Sequence, residues 1–513
     1  MPPGGSSPTI ALAINICRPM KPSTPLVETF ALSKRELDAV AIADPKTGLV
    51  DRIFLLVRTA IQSKQLGPGQ RLPSIRDVAR ACDVSRDTAT RAYDKLVAHG
   101  YLITRPGAGF YVRGQDVPDK RTGVADQSRG DAALPMPEDW RQRLLDPRTV
   151  LAGNLGGGNL PVAWINEPQL SNALRSVARG KLNWMMEYED QQGYLPLRQQ
   201  LHLKLGAFGV AVDPKQIMTT IGGTDALNLV VMSYLRTPGE AVLVDDPASF
   251  LLIDRLLASG LNIIGVPRLH DGPDVEALRL ACEHHRPRLF FCNTLLHNPT
   301  STSLEPHKAF QVLQIAQEFD LTIVEDDTYG DLLPANTAPH LTRLATLDQL
   351  RRVIYIGSFS KILGVGLRVG YIAASAQSIE WLLRYKSVSR ATNGSLGERT
   401  VYRLLSEGTY RHHCEQLRAR LNSSRVHALE KLCDLDIAVT SNPYPGMYLW
   451  GRLPGELDAL CVAERMLEAG YLTAPGRLFS QSQACRSYMR FNIAACENET
   501  AFRMLAATIS RSR

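Results

Sequence analysis

Residues 358–371 read Ser358-Phe-Ser360-Lys361-Ile-Leu-Gly364-Val-Gly-Leu-Arg368-Val-Gly-Tyr371, a lysine flanked by serines with an arginine seven residues on. An amine can form a Schiff base with an aldehyde cofactor, while two hydroxyls and a guanidinium close by suit a phosphate group. Together they describe a pyridoxal phosphate pocket, with Lys361 as the covalent candidate and Ser358, Ser360 and Arg368 as the phosphate candidates. A lysine taken alone is usually a solvated surface group. The spacing of its neighbours sets this one apart.

Upstream of this segment, short unbroken apolar runs alternate with amphipathic stretches: Ala241-Val-Leu-Val244, Leu289-Phe-Phe-Cys292, Thr322-Ile-Val324 and Val353-Ile-Tyr-Ile356. Such runs separated by helices predict a mainly parallel sheet covered on both faces, an α/β fold. With 513 residues, 44% apolar and 21% charged, the chain has room for more than one globular domain. Cysteines at 17, 82, 282, 292, 414, 433, 461, 485 and 496 form no CxxC pair and are odd in number. That argues against a disulfide framework and against a zinc site, so no metal is expected and a reducing cytoplasm fits. The apolar run at 10–17 has no basic segment ahead of it and is too short to span a bilayer, which predicts neither export nor membrane insertion.

Charge is unevenly spread. Between 49 and 113, Lys and Arg stand at 52, 58, 64, 71, 76, 80, 86, 91, 95, 105 and 113, against Asp at 51, 77, 83, 87 and 94 and no Glu. That excess of six is nearly the whole net charge of +7, the electrostatic footprint of a nucleic-acid binder. Apolar residues at Ile53, Leu56, Val57, Ala60 and Ile61 make a helical stripe over 49–65, ended by Gly67-Pro-Gly69. Ser74, with Asp77 three residues on, caps a second helix that turns its Val78 and Ala79 inward. After a turn at Cys82-Asp83, Ser85 caps a third helix to about His99, and 102–112 form a hairpin around Arg105-Pro-Gly107-Ala-Gly109. Helices, tight turn and a basic, Gly-rich hairpin tip make a winged helix-turn-helix. Residues 1–48, Pro-, Ser- and Gly-rich at the start and weakly helical over 32–43, read as a flexible extension; 114–148 read as a polar linker to a domain at 149–513.

In the basic module, Leu72-Pro-Ser-Ile-Arg76, Val84-Ser-Arg-Asp-Thr88, Ala92-Tyr93 and Gly107-Ala-Gly109-Phe-Tyr-Val112 resemble the GntR family of bacterial regulators. The resemblance implies that Arg76, Ser85, Arg86 and Thr88 touch phosphates and base edges of double-stranded operator DNA, and that Gly107 and Gly109 let the wing approach its backbone. Arg86, first in the recognition helix, is the candidate guanine reader, its fork matching two acceptors on that base.

From Asn154 onward the chain resembles a fold type I aminotransferase, with several motifs in the right order. In Gly222-Gly223-Thr224, a strand-to-helix turn offers N–H groups and a hydroxyl to a phosphate. By the same resemblance, Asn298 in His297-Asn-Pro-Thr300 bonds the phenolic oxygen of pyridoxal 5′-phosphate. Asp326 and Tyr329, in Glu325-Asp-Asp-Thr-Tyr329, meet the pyridine nitrogen and the phenolic oxygen. A buried carboxylate there keeps the ring nitrogen protonated and the ring an electron sink. Motif register favours Asp326 over its neighbour Asp327. Lys361 carries the Schiff base, Ser358, Ser360 and Arg368 complete the phosphate cup, and Arg490 in Tyr488-Met-Arg-Phe-Asn492 grips the carboxylate of an amino acid. The chain departs from the family pattern at Ser249, where an aromatic usually stacks on the ring, at Ser301, where glycine is common, and at Gly364, where proline is frequent.

A GntR-type module joined by a linker to an aminotransferase-like domain resembles the MocR subfamily of regulators. This implies a pyridoxal-phosphate-dependent transcription factor that senses an amino compound and forms a head-to-tail homodimer. A catalytically active aminotransferase with an accessory DNA-binding module is the alternative. A large domain serving only as a dimerisation scaffold is disfavoured by Lys361, Asp326 and Arg490.

Overall fold

The computed structural model describes residues 32–43, 47–63, 65–105, 109–113, 140, 143–144, 152–180, 183–235, 237–333, 341–389, 393–439 and 446–512. The chain divides into two compact units, Met1–Ser128 and Arg129–Arg513.

The smaller unit contains α1 (Lys34–Ala43), α2 (Leu49–Gln62), α3 (Ile75–Cys82), α4 (Arg86–Ala98), β1 (Leu102–Arg105) and β2 (Gly109–Val112). Its core joins Ile53, Val57 and Ala60 of α2 to Val78 of α3 and to Ala89, Ala92, Tyr93 and Leu96 of α4. Ser74 Oγ accepts from the Asp77 N–H at 3.3 Å and donates to the Asp77 carboxylate at 2.6 Å, which starts α3. Ser85 Oγ accepts from the Thr88 N–H at 3.0 Å, which starts α4. Between the two helices Asp83 takes the left-handed conformation, φ 54°, that the sharp turn requires. The β1–β2 hairpin pairs antiparallel from Leu102 opposite Val112 to Arg105 opposite Gly109.

Described residues in two segments expected to be loose are packed into cores. At the start of α1 the Ser33 N–H donates to Glu36 Oε2 at 2.9 Å, and Leu32 and Leu37, on either side of that turn, are both buried in the module's core. This hydrophobic staple docks α1, so the reading of 1–48 as flexible is corrected for residues 32–43. Likewise Trp140, within the stretch read as linker, is buried in the core of the larger unit and donates its indole N–H to the Thr473 carbonyl at 3.1 Å. A large ring of this kind gains more by burial than a linker residue loses by ordering. Residues 1–31, Gly107 and the rest of 114–148, apart from residues 143–144, lie outside the described residues.

The larger unit is built on an eight-stranded sheet. In chain order its strands are β4 (Ile217–Thr220), β5 (Ala241–Asp246), β6 (Asn262–Leu269), β7 (Gly272–Pro273), β8 (Leu289–Cys292), β9 (Thr322–Asp326), β10 (Val353–Ser358) and β11 (Gly370–Ala373), after the short β3 (Gly153–Asn154). Their spatial order is β4-β11-β10-β9-β8-β5-β6-β7. From β10 to β6 neighbouring strands run parallel, while β11 is antiparallel to both β10 and β4. Successive strand residues divide between two apolar cores. Leu243, Phe290, Ile323 and Val353 join one; Val242, Val244, Phe291, Val324 and Ile354 join the other. This is the doubly covered α/β sheet that the unbroken apolar runs predict.

A second sheet is formed by β12 (Ala438–Val439), β13 (Tyr448–Arg452), β15 (Ala474–Pro475) and β16 (Tyr488–Asn492), in the order β12-β13-β16-β15, while β14 (Tyr471–Leu472) pairs with β3. It sets Arg490 between Trp450 of β13 and Ala474 of β15. Among the described residues, no helix is long and apolar enough to cross a membrane.

Candidate functional site

The parallel strands β5, β8, β9 and β10 end at Asp246, Cys292, Asp326 and Ser358. The carboxyl edge of such a sheet is where open α/β folds hold ligands. A cavity of about 390 Å³ lies here, and its walls include Gly223, Thr224, Asn298, Asp326, Tyr329, Ser358, Ser360, Lys361, Arg368 and Arg490. These residues, scattered over 268 positions of sequence from 223 to 490, are brought to one place.

At one end of the cavity three segments converge. Gly222 adopts φ 81°, and the helix Gly223–Tyr234 begins directly after it. A Cβ on Gly222 would come within 3.2 Å of the Arg368 guanidinium, whose Nη2 donates to the Ile221 carbonyl at 2.8 Å. Ser358 Oγ accepts from the Ser360 N–H at 3.3 Å, and Ser360 Oγ is buried without a hydrogen-bond partner. Free hydroxyl, helix N-terminus and guanidinium form an anion-shaped cradle.

Lys361 Nζ reaches across the cavity, donating to the Gly158 carbonyl at 2.8 Å and Asn159 Oδ1 at 3.2 Å. Burial holds its ammonium below the ordinary lysine value; Arg490 and Arg368 push the same way, while Tyr448 and Asp326 oppose them. The neutral, nucleophilic amine is easier to reach than in an ordinary lysine.

The two adjacent aspartates part ways. Asp326 faces the cavity, its Oδ1 accepting from the Thr328 N–H at 3.0 Å and hydroxyl at 2.5 Å. Burial raises its pKa and the Thr328 bonds counter that rise. Asp327 is instead consumed in the core, its Oδ2 accepting from Arg343 Nε and from the Tyr355 hydroxyl, both at 2.6 Å.

Across the cavity, the Tyr329 and Tyr448 hydroxyls meet at 3.2 Å, and burial pushes the Tyr329 phenol well above its usual value. Arg490 is buried, its guanidinium 4.3 Å from the Tyr448 ring centre and 4.7 Å from that of Phe479. Its Nη1 donates to Asn298 Oδ1 at 2.8 Å and its Nη2 to the Gly156 carbonyl at 2.6 Å, while Nε has no partner. Because Arg490 occupies the amide oxygen, the Asn298 NH₂ is the end left to donate to a ligand. Ser249 lines the cavity, and Phe250, the aromatic next to it, stands edge-on to Phe479 with ring centres 5.7 Å apart.

Sequence reasoning missed Tyr448, Asn293 and Asn492. Asn492 Nδ2 donates to the Gly157 and Asn159 carbonyls at 2.9 and 2.8 Å, holding the loop that meets Lys361. Asn492 closes the motif that carries Arg490 but was given no role of its own, Tyr448 and Asn293 stand in no recognisable local pattern, and only partners far along the chain reveal what Asn492 holds. In the smaller unit, Arg76 and Arg86 are exposed on α3 and α4. The Ser85 and Thr88 hydroxyls lie 2.8 Å apart within the cap, and Gly109 opens β2 at φ 105°.

Two family models match the chain: aminotransferase class I and II over residues 153–508, and bacterial regulatory proteins of the gntR family over residues 49–112. The chain belongs to the aminotransferase class I and II family. It is a GntR-type regulator fused to an aminotransferase-like domain, the MocR-like architecture. The regulator is 27% identical to the uncharacterised HTH-type transcriptional regulator YdfD of Bacillus subtilis over 459 residues, 86% of this chain and 92% of that protein. It is 30% identical to the 2-aminoadipate transaminase of Thermus thermophilus over 361 residues, 69% of this chain and 88% of the other. Among solved structures, the α-aminoadipate aminotransferase LysN of Thermus thermophilus, complexed with N-(5′-phosphopyridoxyl)-L-leucine, is similar at a TM-score of 0.65 and 26% identity, covering 72% of this chain and 94% of LysN.

Proposed function

We propose that this regulator holds pyridoxal 5′-phosphate in the cavity of its larger unit and senses an amino acid or related amino compound there. Occupancy of the site then sets how the winged helix-turn-helix engages operator DNA. The observation that carries this reading is the convergence of Lys361, Asp326, Asn298 and Arg490 with the Ser360–Arg368 cradle in one cavity. The residues fit the group. The partnerless Ser360 Oγ, the start of the helix at Gly223 and the Arg368 guanidinium suit a phosphate dianion.

Bound there, the cofactor would supply an aldehyde carbon that joins to amines and a ring that withdraws electrons. Lys361 supplies the competing amine, Asp326 accepts the ring-nitrogen proton bond, and Asn298 Nδ2 and the Tyr329 hydroxyl donate to the phenolic oxygen. Arg490 pairs with the ligand's carboxylate through its planar fork. An amino compound that exchanges with Lys361 changes the contacts of both ends of the cavity, and that differential affinity is what a switch requires. Arg76, Arg86 and the Ser85–Thr88 helix start read DNA, with Gly107 and Gly109 at the wing. A head-to-tail homodimer would present two such modules to paired half-sites. The cytoplasm, where the DNA lies, is the working compartment.

The test is absorption of the full chain titrated with pyridoxal 5′-phosphate, followed by operator binding with and without a panel of amino acids. Arg490→Ala is expected to retain the cofactor absorption and lose the response to the amino acid that shifts DNA binding. A response at unchanged concentration overturns the carboxylate reading. The 30% identity to a transaminase favours one second reading, a working aminotransferase with an accessory DNA-binding module. Repeated turnover of an amino donor supports that reading, and conversion that stops at one equivalent per site excludes it.

A further inference from the structure

Asn293 directly follows β8, the strand lying between β5 and β9, and it bonds to the ends of both. Its backbone N–H donates to Asp245 Oδ2 of β5 at 3.2 Å. Its side-chain NH₂ donates to the main-chain carbonyl of Asp326, the last residue of β9. Its side-chain oxygen accepts from the Asn298 N–H at 2.8 Å. Since Asn298 Oδ1 in turn accepts from Arg490 Nη1 at 2.8 Å, a continuous chain of contacts runs from Arg490 to Asp326 with Asn293 at its centre.

The pivot is anchored from below. Asp245 and Arg268 form a fully buried pair at 3.2 Å, and Arg268 Nε also donates to Thr302 Oγ1 at 3.3 Å. His297 Nδ1 meets Thr300 Oγ1 at 2.8 Å, which braces the loop carrying Asn298 from within. A buried charge pair of this kind is rigid, because moving either member strands the other. At position 293 the side chain must donate and accept at once. An amide does both, whereas aspartate only accepts, and alanine does neither.

We infer that Asn293 is a positioning residue that couples the carboxylate-reading arm, Arg490 and Asn298, to the backbone of Asp326 at the end of β9. The inference rests on the proposed roles of Arg490 and Asp326. A ligand carboxylate that moves Arg490 shifts Asn298, and through Asn293 the end of β9, so that the two halves of the site respond together.

The experiment is a double-mutant cycle on the full chain with Asn293→Ala, Arg490→Met and the pair. The readouts are the dissociation constant of pyridoxal 5′-phosphate and the pH midpoint of the bound cofactor's absorption change. Asn293→Ala is expected to weaken cofactor binding roughly five- to a hundredfold, as for buried groups left without a partner, and to shift the midpoint. Arg490→Met is expected to shift the midpoint in the native background and to add little once Asn293 is gone. Effects of the two substitutions that simply multiply, or an affinity and midpoint unchanged in Asn293→Ala, overturn the coupling. Should the native chain take up no pyridoxal 5′-phosphate, the proposed function fails, and the same cycle read on the thermal unfolding midpoint of the cofactor-free chain decides the coupling alone. Non-additivity there supports it and additivity sinks it.

Discussion

Changing Asp326 and Asp327 to asparagine, one at a time, tests the division of labour between two neighbouring carboxylates. Asp327 Oδ2 accepts from Arg343 Nε and the Tyr355 hydroxyl, both at 2.6 Å, with the Asp327 side chain 1% and the Arg343 side chain 10% exposed. Asparagine keeps the volume, so no cavity opens, but the charge is lost and one acceptor oxygen becomes an NH₂ donor. The Arg343 guanidinium lies 3.9 Å from the Phe208 ring centre. Breaking one side of a buried pair in this way costs about 3–5 kcal/mol. Asp327→Asn is therefore expected to lower the calorimetric unfolding midpoint of the larger unit by several degrees. Asp326 is different, because its Oδ1 accepts only from Thr328, and an asparagine oxygen can accept the same two bonds. Its replacement is expected to cost about 1 kcal/mol or less in stability while altering the affinity and absorption of titrated pyridoxal 5′-phosphate. The reasoning is refuted if Asp327→Asn unfolds at the native midpoint and loses the cofactor signal while Asp326→Asn is the destabilised variant.

Lys361→Ala is expected to remove the near-visible absorption and any borohydride-trapped cofactor while the fold persists; trapping at another lysine would displace Lys361 from its role. Arg86→Ala is expected to cost about 1–3 kcal/mol in specific operator binding and to relax preference at one base pair. A uniform loss on operator and random DNA would make it a phosphate contact instead. Lys386 donates to the Thr219 carbonyl at 2.8 Å, and burial holds its ammonium down at about 8, against 10.5 for an ordinary lysine. Below pH 8 the native state bears the whole penalty of that buried charge. Between pH 8 and 10.5 the unfolded chain binds more protons than the native one, so stability rises with pH by up to about 3 kcal/mol. Urea midpoints across this window are expected to climb less steeply in Lys386→Met, and an unchanged slope would remove Lys386 as the cause.

Much of the chemistry was legible along the chain because it is local. The spacing from Ser358 to Arg368 follows one strand end and the turn after it, and the Ser74 and Ser85 caps each close within three residues. The apolar runs announced a doubly covered sheet, since their alternate residues supply two cores. Such features depend on backbone periodicity and on hydrogen bonds spanning a few residues, which a sequence displays directly.

Tertiary structure alone decided what each of those groups faces. Asp327 turns inward because Arg343 and Tyr355 wait for it on other segments, which leaves Asp326 to the cavity. The Asn298 amide is oriented by Arg490, 192 residues away, and Asn293 bonds to the ends of strands on either side of it. Leu32, Leu37 and Trp140, in segments whose composition suggests loose chain, are buried because an apolar core lies within reach. In every case the deciding partner is distant in sequence, and strand order and burial, which periodicity does not encode, bring it into contact.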